Sequence, residues 1–326
     1  MRRPRVKVDG EGFYHVVSRI GGKRFLLDEA EKGVLLGMIR AAAAFSGVEL
    51  YTYAVMSNHF HLLVRVPRRR EVSDAELLRR MRALYGPAKL AKVLEKWDKW
   101  TNRGMEARVD EEKGRLRART YDLSQFCKTF KEAYTQDYNR RHGNTGTIWE
   151  GRFKSILLED SRRALMTVAG YIHLNPVRAG MVGRAETAGN AGYGAACLGD
   201  ERARQGLGAL VRRACAAGEA SWPLVREACA EVIEGTVPGA KASQSDPFHS
   251  DGGGGSAPAP EALLSYRTLL RRRVTGFLHG NALGGVAFLR RVAAILPPRI
   301  RRRAKSLLDS CPFLSLSSAS GVRDAS

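Results

Sequence analysis

Acidic residues are scarce in this chain of 326 residues, which has 33 Asp and Glu against 54 Lys and Arg and a formal net charge of +21. A charge this far from zero favours a polyanionic partner, with nucleic acid as the first candidate and an anionic membrane surface as the second. No stretch approaches the roughly 20 consecutive apolar residues of a membrane helix, so we expect no membrane span. The basic N-terminus also lacks the apolar run of a signal peptide.

Cysteine is rare as well. The five cysteines are odd in number, far apart and without any Cys-x-x-Cys spacing. This pattern argues against a disulfide framework and against a classical zinc finger, so we expect reduced thiols in a cytoplasmic protein. The chain also lacks a P-loop pattern, and we therefore expect no nucleotide cofactor.

Strand and helix patterns follow one another in the order β-α-β-β in the N-terminal part of the chain. Residues 12–20 are rich in strand formers, and the next segment predicts a helix that is capped by Asp28 and ends at Gly47. Two strand-like runs then flank Ser57-Asn58. This order is the opening of a ferredoxin-like split β-α-β fold in the α+β class.

Helical patterns dominate the following segments. Apolar residues at helical spacing predict two helices in a charged insertion at about 70–118 and a helix over 122–142. A strand is predicted over 148–158. Asp160 or Ser161 caps a further helix, which we expect Pro176 to stop after Asn175.

We expect a catalytic domain over residues 1–190 that contains the helical insertion. The remaining boundaries are a helical extension over 191–235, a flexible Gly- and Pro-rich linker over 236–260, a basic and mainly helical segment over 261–309, and a disordered Ser-rich tail over 310–326. Residues 266–308 contain no Asp or Glu, which favours contact with backbone phosphates there.

His59 and His61 stand two residues apart on a predicted strand. Side chains on a strand alternate between its faces, so the two imidazoles point the same way, roughly 7 Å apart along the backbone. Neutral imidazole is the commonest protein ligand of divalent transition metals, but half-buried strands often carry histidines without a metal, so the pair by itself favours structural histidines over a metal site. Tyr171 and Asn175, which share a helix face at i and i+4, supply a phenol nucleophile and an amide oxygen for a third ligand position.

Five blocks of the sequence resemble successive blocks of the REP-associated tyrosine transposases, which are relatives of the single-tyrosine HUH transposases of insertion sequences. The blocks are residues 12–19, 53–63, 139–143, 151–157 and 171–182, and they occur in the same order along the chain. The resemblance implies a ferredoxin-like HUH domain. It also implies that the partner is single-stranded or hairpin DNA, which the enzyme nicks and rejoins through a 5′-phosphotyrosine.

The resemblance also implies roles for individual residues. His59 and His61 would be the metal ligands and Tyr171 the nucleophile, while Asn175 occupies the place of a metal-binding glutamine, with a side chain one methylene shorter. The expected cofactor is a divalent ion, Mg²⁺ or Mn²⁺, although two imidazoles would also accept Zn²⁺. The oligomeric state is left open between monomer and homodimer.

Four further residues are candidates for contact with DNA. Arg19, Arg152 and Lys154 carry charges that suit backbone phosphates. Trp149 has two open readings, one as a platform for unpaired bases and one as a core residue.

Two other functions compete with this one. The first is a non-catalytic nucleic-acid-binding protein on the same fold, which the charge fits equally well but which does not require His59, His61 and Tyr171. The second is a metal-dependent hydrolase that activates water. Such an enzyme normally uses carboxylate ligands, which are missing near the histidines, and it would stay active without Tyr171.

Overall fold

The computed structural model describes four stretches of the chain: residues 6–216, 218–234, 282–295 and 313–316. They divide into two compact units. The first unit consists of residues 7–155 and 189–192. The second consists of Val6, residues 156–188 and the described residues from Tyr193 onward.

The first unit contains three strands and four helices. Its strands pair antiparallel in the order β2-β3-β1, which confirms the predicted β-α-β-β sequence of elements. The elements are β1 (Gly12–Arg19), a 3-10 turn (Gly21–Lys23), α1 (Glu29–Ser46), β2 (Glu49–Val55), β3 (His59–Val66), α2 (Asp74–Thr101), α3 (Glu106–Arg117) and α4 (Leu123–His142).

The register of β1 and β3 decides which side chains share a face of this sheet. Val17 lies opposite His61 and Arg19 lies opposite His59, so these four side chains are on one face. Phe60 points to the other face, where its ring centroid is 5.5 Å from that of Phe130 on α4. One face therefore packs on α4, and the opposite face carries the histidines.

The ends of α1 lie where the sequence predicts them. The Asp28 carboxylate accepts a hydrogen bond from the Glu31 backbone N–H at 2.8 Å, which is the geometry of an N-cap. At the other end Gly47 adopts a left-handed conformation with φ 73°, and its N–H donates to the Ala43 carbonyl at 2.9 Å. The predicted apolar stripe of α4 is also confirmed, since Phe126, Phe130, Tyr134 and Tyr138 are all buried.

The charged insertion is helical, and its two predicted helices are the two parts of α2, which α3 follows. The helix is interrupted at Gly86, which has φ 72° and is followed by Pro87. Side chains on both sides of this break and on α3 pack together with Phe45 of α1. The buried members of this cluster are Phe45, Val72, Leu77, Met81, Trp97, Val109 and Leu116. The insertion is therefore a folded element that packs on α1.

The second unit combines short strands with a cluster of helices. The elements assigned to it are β4 (Lys154–Leu158), α5 (Arg162–Arg178), a 3-10 turn (Ala185–Thr187), α6 (Gly192–Cys197), α7 (Glu201–Cys215), α8 (Trp222–Glu234), β5 (Ala282–Gly285), α9 (Val286–Ile295) and β6 (Phe313–Leu316). Strand β4 pairs in parallel with β5, which pairs antiparallel with β6. Helix α5 packs against α7 and α8. The mixture of helices and strands confirms the α+β class.

Several predictions for this part of the chain were wrong in detail. The predicted strand 148–158 is limited to its last five residues. Helix α5 continues past Pro176, because the missing N–H of proline removes one bond while the Ala179 N–H still closes the last turn on the Asn175 carbonyl at 3.0 Å. Within the segment predicted to be mainly helical, the structure describes strand β5 and helix α9, and it describes strand β6 within the tail that was predicted to be disordered.

The flexible linker predicted over residues 236–260 lies outside the described residues. The predicted domain boundaries stay predictions. None of the described helices combines the length and the apolarity that a bilayer crossing needs.

Candidate active site

Three histidines lie side by side on one face of the first unit's sheet. The ring centroids of His59 and His61 are 5.0 Å apart, with the rings nearly perpendicular. The ring of His15, on β1, stacks on His61 at 5.2 Å, and the His15 Nε2 and His61 Nδ1 atoms form a hydrogen bond of 3.0 Å. The two predicted ligands are thus brought together, and a third imidazole is in direct contact with one of them.

A hydrogen bond occupies the Nδ1 atom of each of the two rings. His59 Nδ1–H donates to the Asn58 side-chain oxygen at 2.7 Å, because that oxygen can only accept. The lone pair of His59 is therefore on Nε2. His61 Nδ1 is hydrogen-bonded to His15, and His61 offers Nε2 to a ligand in the tautomer whose Nδ1–H donates to His15 Nε2. This arrangement, with the second ring nitrogen held by a protein group, is typical of metal-binding histidines.

Both rings are held in the neutral form. Burial lowers the pKa of His59 to about 4, and the positive charge of Arg19 lowers it further in the same direction. The pKa of His61 is well below its usual value, first because the ring is enclosed and then because His15, His59 and Arg19 disfavour another positive charge. Neutral imidazole is the form that coordinates a metal, so the pair is competent as a donor set at pH 7.

The donor set for a metal is incomplete within this cluster. In the part of the chain that the structure describes, no group of three or more His, Cys, Asp or Glu side chains is arranged to hold a metal ion. His15 does not complete such a group, since its Nε2 is directed at His61. The two imidazoles fit a divalent ion that takes its other ligands from amide, water or phosphate oxygens.

An exposed arginine lies at the end of the sheet where His59 is located. Arg19 is exposed at the end of β1, directly across from His59. The Glu150 N–H donates to the Arg19 carbonyl at 2.9 Å, which holds the segment before β4 against this end of β1. Arg152, just before β4, and Lys154, the first residue of β4, are also exposed. All three cations that were predicted to contact DNA are therefore on the surface.

Trp149 is part of the core. Its side chain is only 6% exposed, and its ring centroid is 5.7 Å from that of Phe60 in an edge-on contact. The indole N–H donates to the Thr135 hydroxyl at 2.9 Å and to the Lys131 carbonyl at 3.2 Å. Of the two readings of Trp149, the structure therefore agrees with the core residue, and the ring is not placed as a platform for bases.

Tyr171 and Asn175 lie together in the second unit. Both are on α5, where the Asn175 Nδ2 donates to the Tyr171 backbone carbonyl at 2.8 Å. This bond leaves Oδ1 as the oxygen that Asn175 would offer to a cation. The Arg178 guanidinium lies 5.6 Å from the centre of the Tyr171 ring, within the range of a cation–π contact. His173, two residues after Tyr171, is buried, and its ring stacks on that of Tyr193 with 5.5 Å between the centroids.

The sequence did not reveal His15 and Asn58 as members of the site. A signal for His15 exists, because it alternates with Val17 and Arg19 on β1 and so falls on their face of the sheet. That face could not be matched with the histidines of β3 without the register of the two strands. Asn58 was predicted only as part of the segment between two strands, but its side chain also forms a hydrogen bond with His59.

Comparison with known proteins agrees with the resemblance seen in the sequence. Residues 11–83 match the family model Y1_Tnp, described as "Transposase IS200 like", and this segment contains both His59 and His61. Among proteins of curated function, none has a significantly similar sequence.

One similar solved structure is described as the REP associates tyrosine transposase bound to a REP hairpin. It is 14% identical to this chain, with a TM-score of 0.39, and the alignment covers 60% of this chain and 82% of that one. Over residues 11–83 the chain is similar to the IS200-like transposases, which confirms the resemblance to insertion-sequence transposases drawn from its motifs.

Proposed function

We propose that this protein is a metal-dependent single-stranded DNA endonuclease of the transposase type. It nicks and rejoins DNA, at palindromic hairpins, through a 5′-phosphotyrosine on Tyr171. The observation that carries this proposal is the pair of neutral imidazoles, His59 and His61, whose Nδ1 atoms are both engaged by protein groups. A protein that only binds DNA does not require such a pair.

His59 and His61 would hold the divalent ion, Mg²⁺ or Mn²⁺, through Nε2, and Asn175 would offer its amide oxygen as a further ligand. When bound, the ion polarises a non-bridging phosphate oxygen and offsets the charge that develops there. His15 and Asn58 act through the ligands, because each occupies the Nδ1 atom of one imidazole and so fixes its orientation.

Tyr171 supplies the nucleophile in this proposal. Its phenol oxygen attacks the scissile phosphorus in line while its proton is lost to solvent. The bond between phosphorus and the 3′ oxygen breaks, the 3′ oxygen takes up a proton, and the 5′ phosphate stays joined to the tyrosine. The number of phosphoester bonds is unchanged, so attack by a 3′ hydroxyl rejoins the strands without ATP.

Arg19, Arg152 and Lys154 would bind the backbone of the DNA. All three are exposed, Arg19 lies directly across from His59, and the chain as a whole carries a formal charge of +21. Contacts of this kind position the strand but read no sequence. The similar solved structure has a REP hairpin bound, which supports hairpin DNA as the first substrate to test here.

The test is a nicking assay on 3′-labelled single-stranded hairpin oligonucleotides from the palindromes that flank the gene, with Mg²⁺ or Mn²⁺. The label belongs on the 3′ side because that fragment stays joined to the protein. We expect a covalent protein–DNA band that disappears with EDTA, in Tyr171→Phe and in His59→Ala. Matched controls are Tyr85→Phe on α2 and His142→Ala at the end of α4, which should both keep the band.

Two outcomes would contradict the proposal. Cleavage that persists in Tyr171→Phe would favour a hydrolase that activates water. Tight binding without cleavage by the wild type, across varied hairpins and both metals, would favour a non-catalytic nucleic-acid-binding protein. The non-catalytic alternative agrees with the lack of a complete metal-ligand group among the described His, Cys, Asp and Glu residues.

A further inference from the structure

Phe25 is an aromatic residue exposed on the surface of the first unit. Its side chain is 79% exposed, more than any other large hydrophobic residue in the described part of the chain. The others that are exposed there are methionines and leucines. A single exposed apolar residue is ordinary, so its surroundings decide whether it has a role.

The loop that carries Phe25 is anchored on both sides to the turn before His59. The Ile20 N–H donates to the Asn58 carbonyl at 2.8 Å, and the Leu27 N–H donates to the Ser57 carbonyl at 3.0 Å. Ile20 and Leu27 are themselves fully buried. The backbone on both sides of Phe25 is therefore held in place while the side chain projects into solvent. This lowers the conformational entropy lost when a ligand contacts the ring.

The side chain of Asn58 links this loop directly to the candidate metal ligand. Its amide nitrogen donates to the Lys23 carbonyl at 3.3 Å, while its oxygen accepts from His59 Nδ1 at 2.7 Å. One side chain thus connects His59 with the residue two positions before Phe25. The aromatic ring belongs to the same end of the sheet as the proposed scissile position.

The loop is flanked by cations. Arg19, Lys23 and Arg24 are exposed, and the segment from Gly12 to Leu27 contains no acidic residue. Arg24 also donates to the Gly21 carbonyl at 3.3 Å, which orders the guanidinium beside Phe25. An aromatic face among backbone-binding cations is the combination with which proteins hold unpaired nucleotides.

We infer that Phe25 is a stacking platform for an unpaired base of the DNA next to the hairpin stem. This inference rests on the proposed function, since it names the part of the same substrate that the loop contacts. The flanking cations contact the phosphates of that nucleotide and its neighbours. The site distinguishes a hairpin with a single-stranded extension from a fully paired one.

The test compares two DNA probes with the full-length protein. One is a hairpin with a short unpaired extension that carries 2-aminopurine, and the other is the same hairpin with a blunt end. We expect Phe25→Ala to weaken binding of the extended probe by roughly 5- to 100-fold and to leave the blunt probe unchanged. The quenching of 2-aminopurine fluorescence on binding should be lost with it.

Two variants control for size and for folding. Phe25→Trp keeps an aromatic face and should retain tight binding and quenching, whereas Phe25→Leu keeps apolar bulk and should behave like Phe25→Ala. All three should melt at the temperature of the wild type, because the side chain is exposed. Equal loss on both probes, no loss on either, or failure of the wild type to bind the extended probe at low salt would each overturn the inference.

This experiment and the nicking assay fail independently. If the predicted binding pattern appears but no covalent band forms with the wild type, the stacking site stands and the nicking reaction falls. If the band forms and Phe25→Ala binds both probes like the wild type, only the stacking site falls.

Discussion

Glu31 is a buried carboxylate that ties α1 to α4, the two helices that pack together in the first unit. Its side chain is 5% exposed and accepts hydrogen bonds from the Tyr134 hydroxyl at 2.8 Å, from His142 Nε2 at 2.9 Å and from the Arg141 guanidinium. The bond from Arg141 is the largest cause that lowers the pKa of Glu31, which falls to about 2. We predict that Glu31→Gln destabilises this unit.

The magnitude follows from the pKa. A shift from 4.5 to about 2 corresponds to roughly 3 kcal/mol of extra stability for the folded state with Glu31 ionised. The pKa of Glu31 is lower in the folded protein than in the unfolded chain. At pH values between these two pKa values, the unfolded chain therefore binds more protons than the folded protein. The contribution is therefore complete above about pH 5 and is lost as the pH falls towards 2.

Urea unfolding followed by tryptophan fluorescence is a suitable assay, since three of the four tryptophans, Trp97, Trp100 and Trp149, are in the first unit. At pH 7 we expect Glu31→Gln to lower the free energy of unfolding by about 3 kcal/mol. The difference in free energy of unfolding between the wild type and this variant should narrow progressively between pH 5 and pH 3. Glu132→Gln is the matched control on α4, because its ion pair with Lys128 is exposed and contributes less than about 1 kcal/mol. An unchanged midpoint at pH 7, or a gap that stays constant down to pH 3, would refute the reasoning.

Three further predictions concern His15, Gly47 and Trp149. His15→Phe removes the partner of His61 Nδ1 and should weaken Mn²⁺ binding by roughly 10- to 100-fold in calorimetry. Gly47→Ala should lower the melting temperature, because φ is 73° and a Cβ would lie 2.6 Å from an arginine nitrogen, whereas Gly37→Ala, in open space on α1, should raise it slightly. Trp149→Phe breaks two buried hydrogen bonds and should cost about 1–3 kcal/mol in urea unfolding, without a change in DNA affinity.

Elements that are specified by neighbouring residues could be predicted from the sequence. The cap of α1 needs only Asp28 and Glu31, and its end needs only the left-handed conformation that Gly47 adopts easily. The buried stripe of α4 follows from aromatic residues at every fourth position. In these cases the signal and the structure are only a few residues apart.

Pairings between distant residues could not be predicted in the same way. His15 and His61 are separated by 46 positions, and their contact depends on the register in which β1 meets β3. Strands β5 and β6 have four residues each, which is too short for an alternating pattern to distinguish them from a helix or a loop. The continuation of α5 beyond Pro176 was missed because one lost hydrogen bond in a last turn is a small cost in a helix that packs on two others.

The candidate site likewise combines local features, which could be predicted from the sequence, with contacts that depend on the fold, which could not. His59 and His61 could be identified from their spacing, since alternation on one strand is a local property. What holds them, namely His15 and Asn58, depends on contacts between strands and within a turn. Trp149 illustrates the opposite case, because an aromatic residue near basic ones fits a platform and a core equally until its burial is known.

Arg19 connects the two requirements of the proposed reaction. DNA binding needs cations near the strand, whereas metal binding needs imidazoles without a proton, and Arg19 lies directly across from His59. In the absence of DNA, the positive charge of Arg19 disfavours protonation of the His59 ring, so the same charge favours both DNA binding and metal binding. A bound phosphate would offset that charge, but the larger cause of the low pKa of His59 is the burial of the ring by the protein itself. The ligand pair therefore stays neutral when the substrate arrives, because its protonation state depends mainly on the enclosure of the rings.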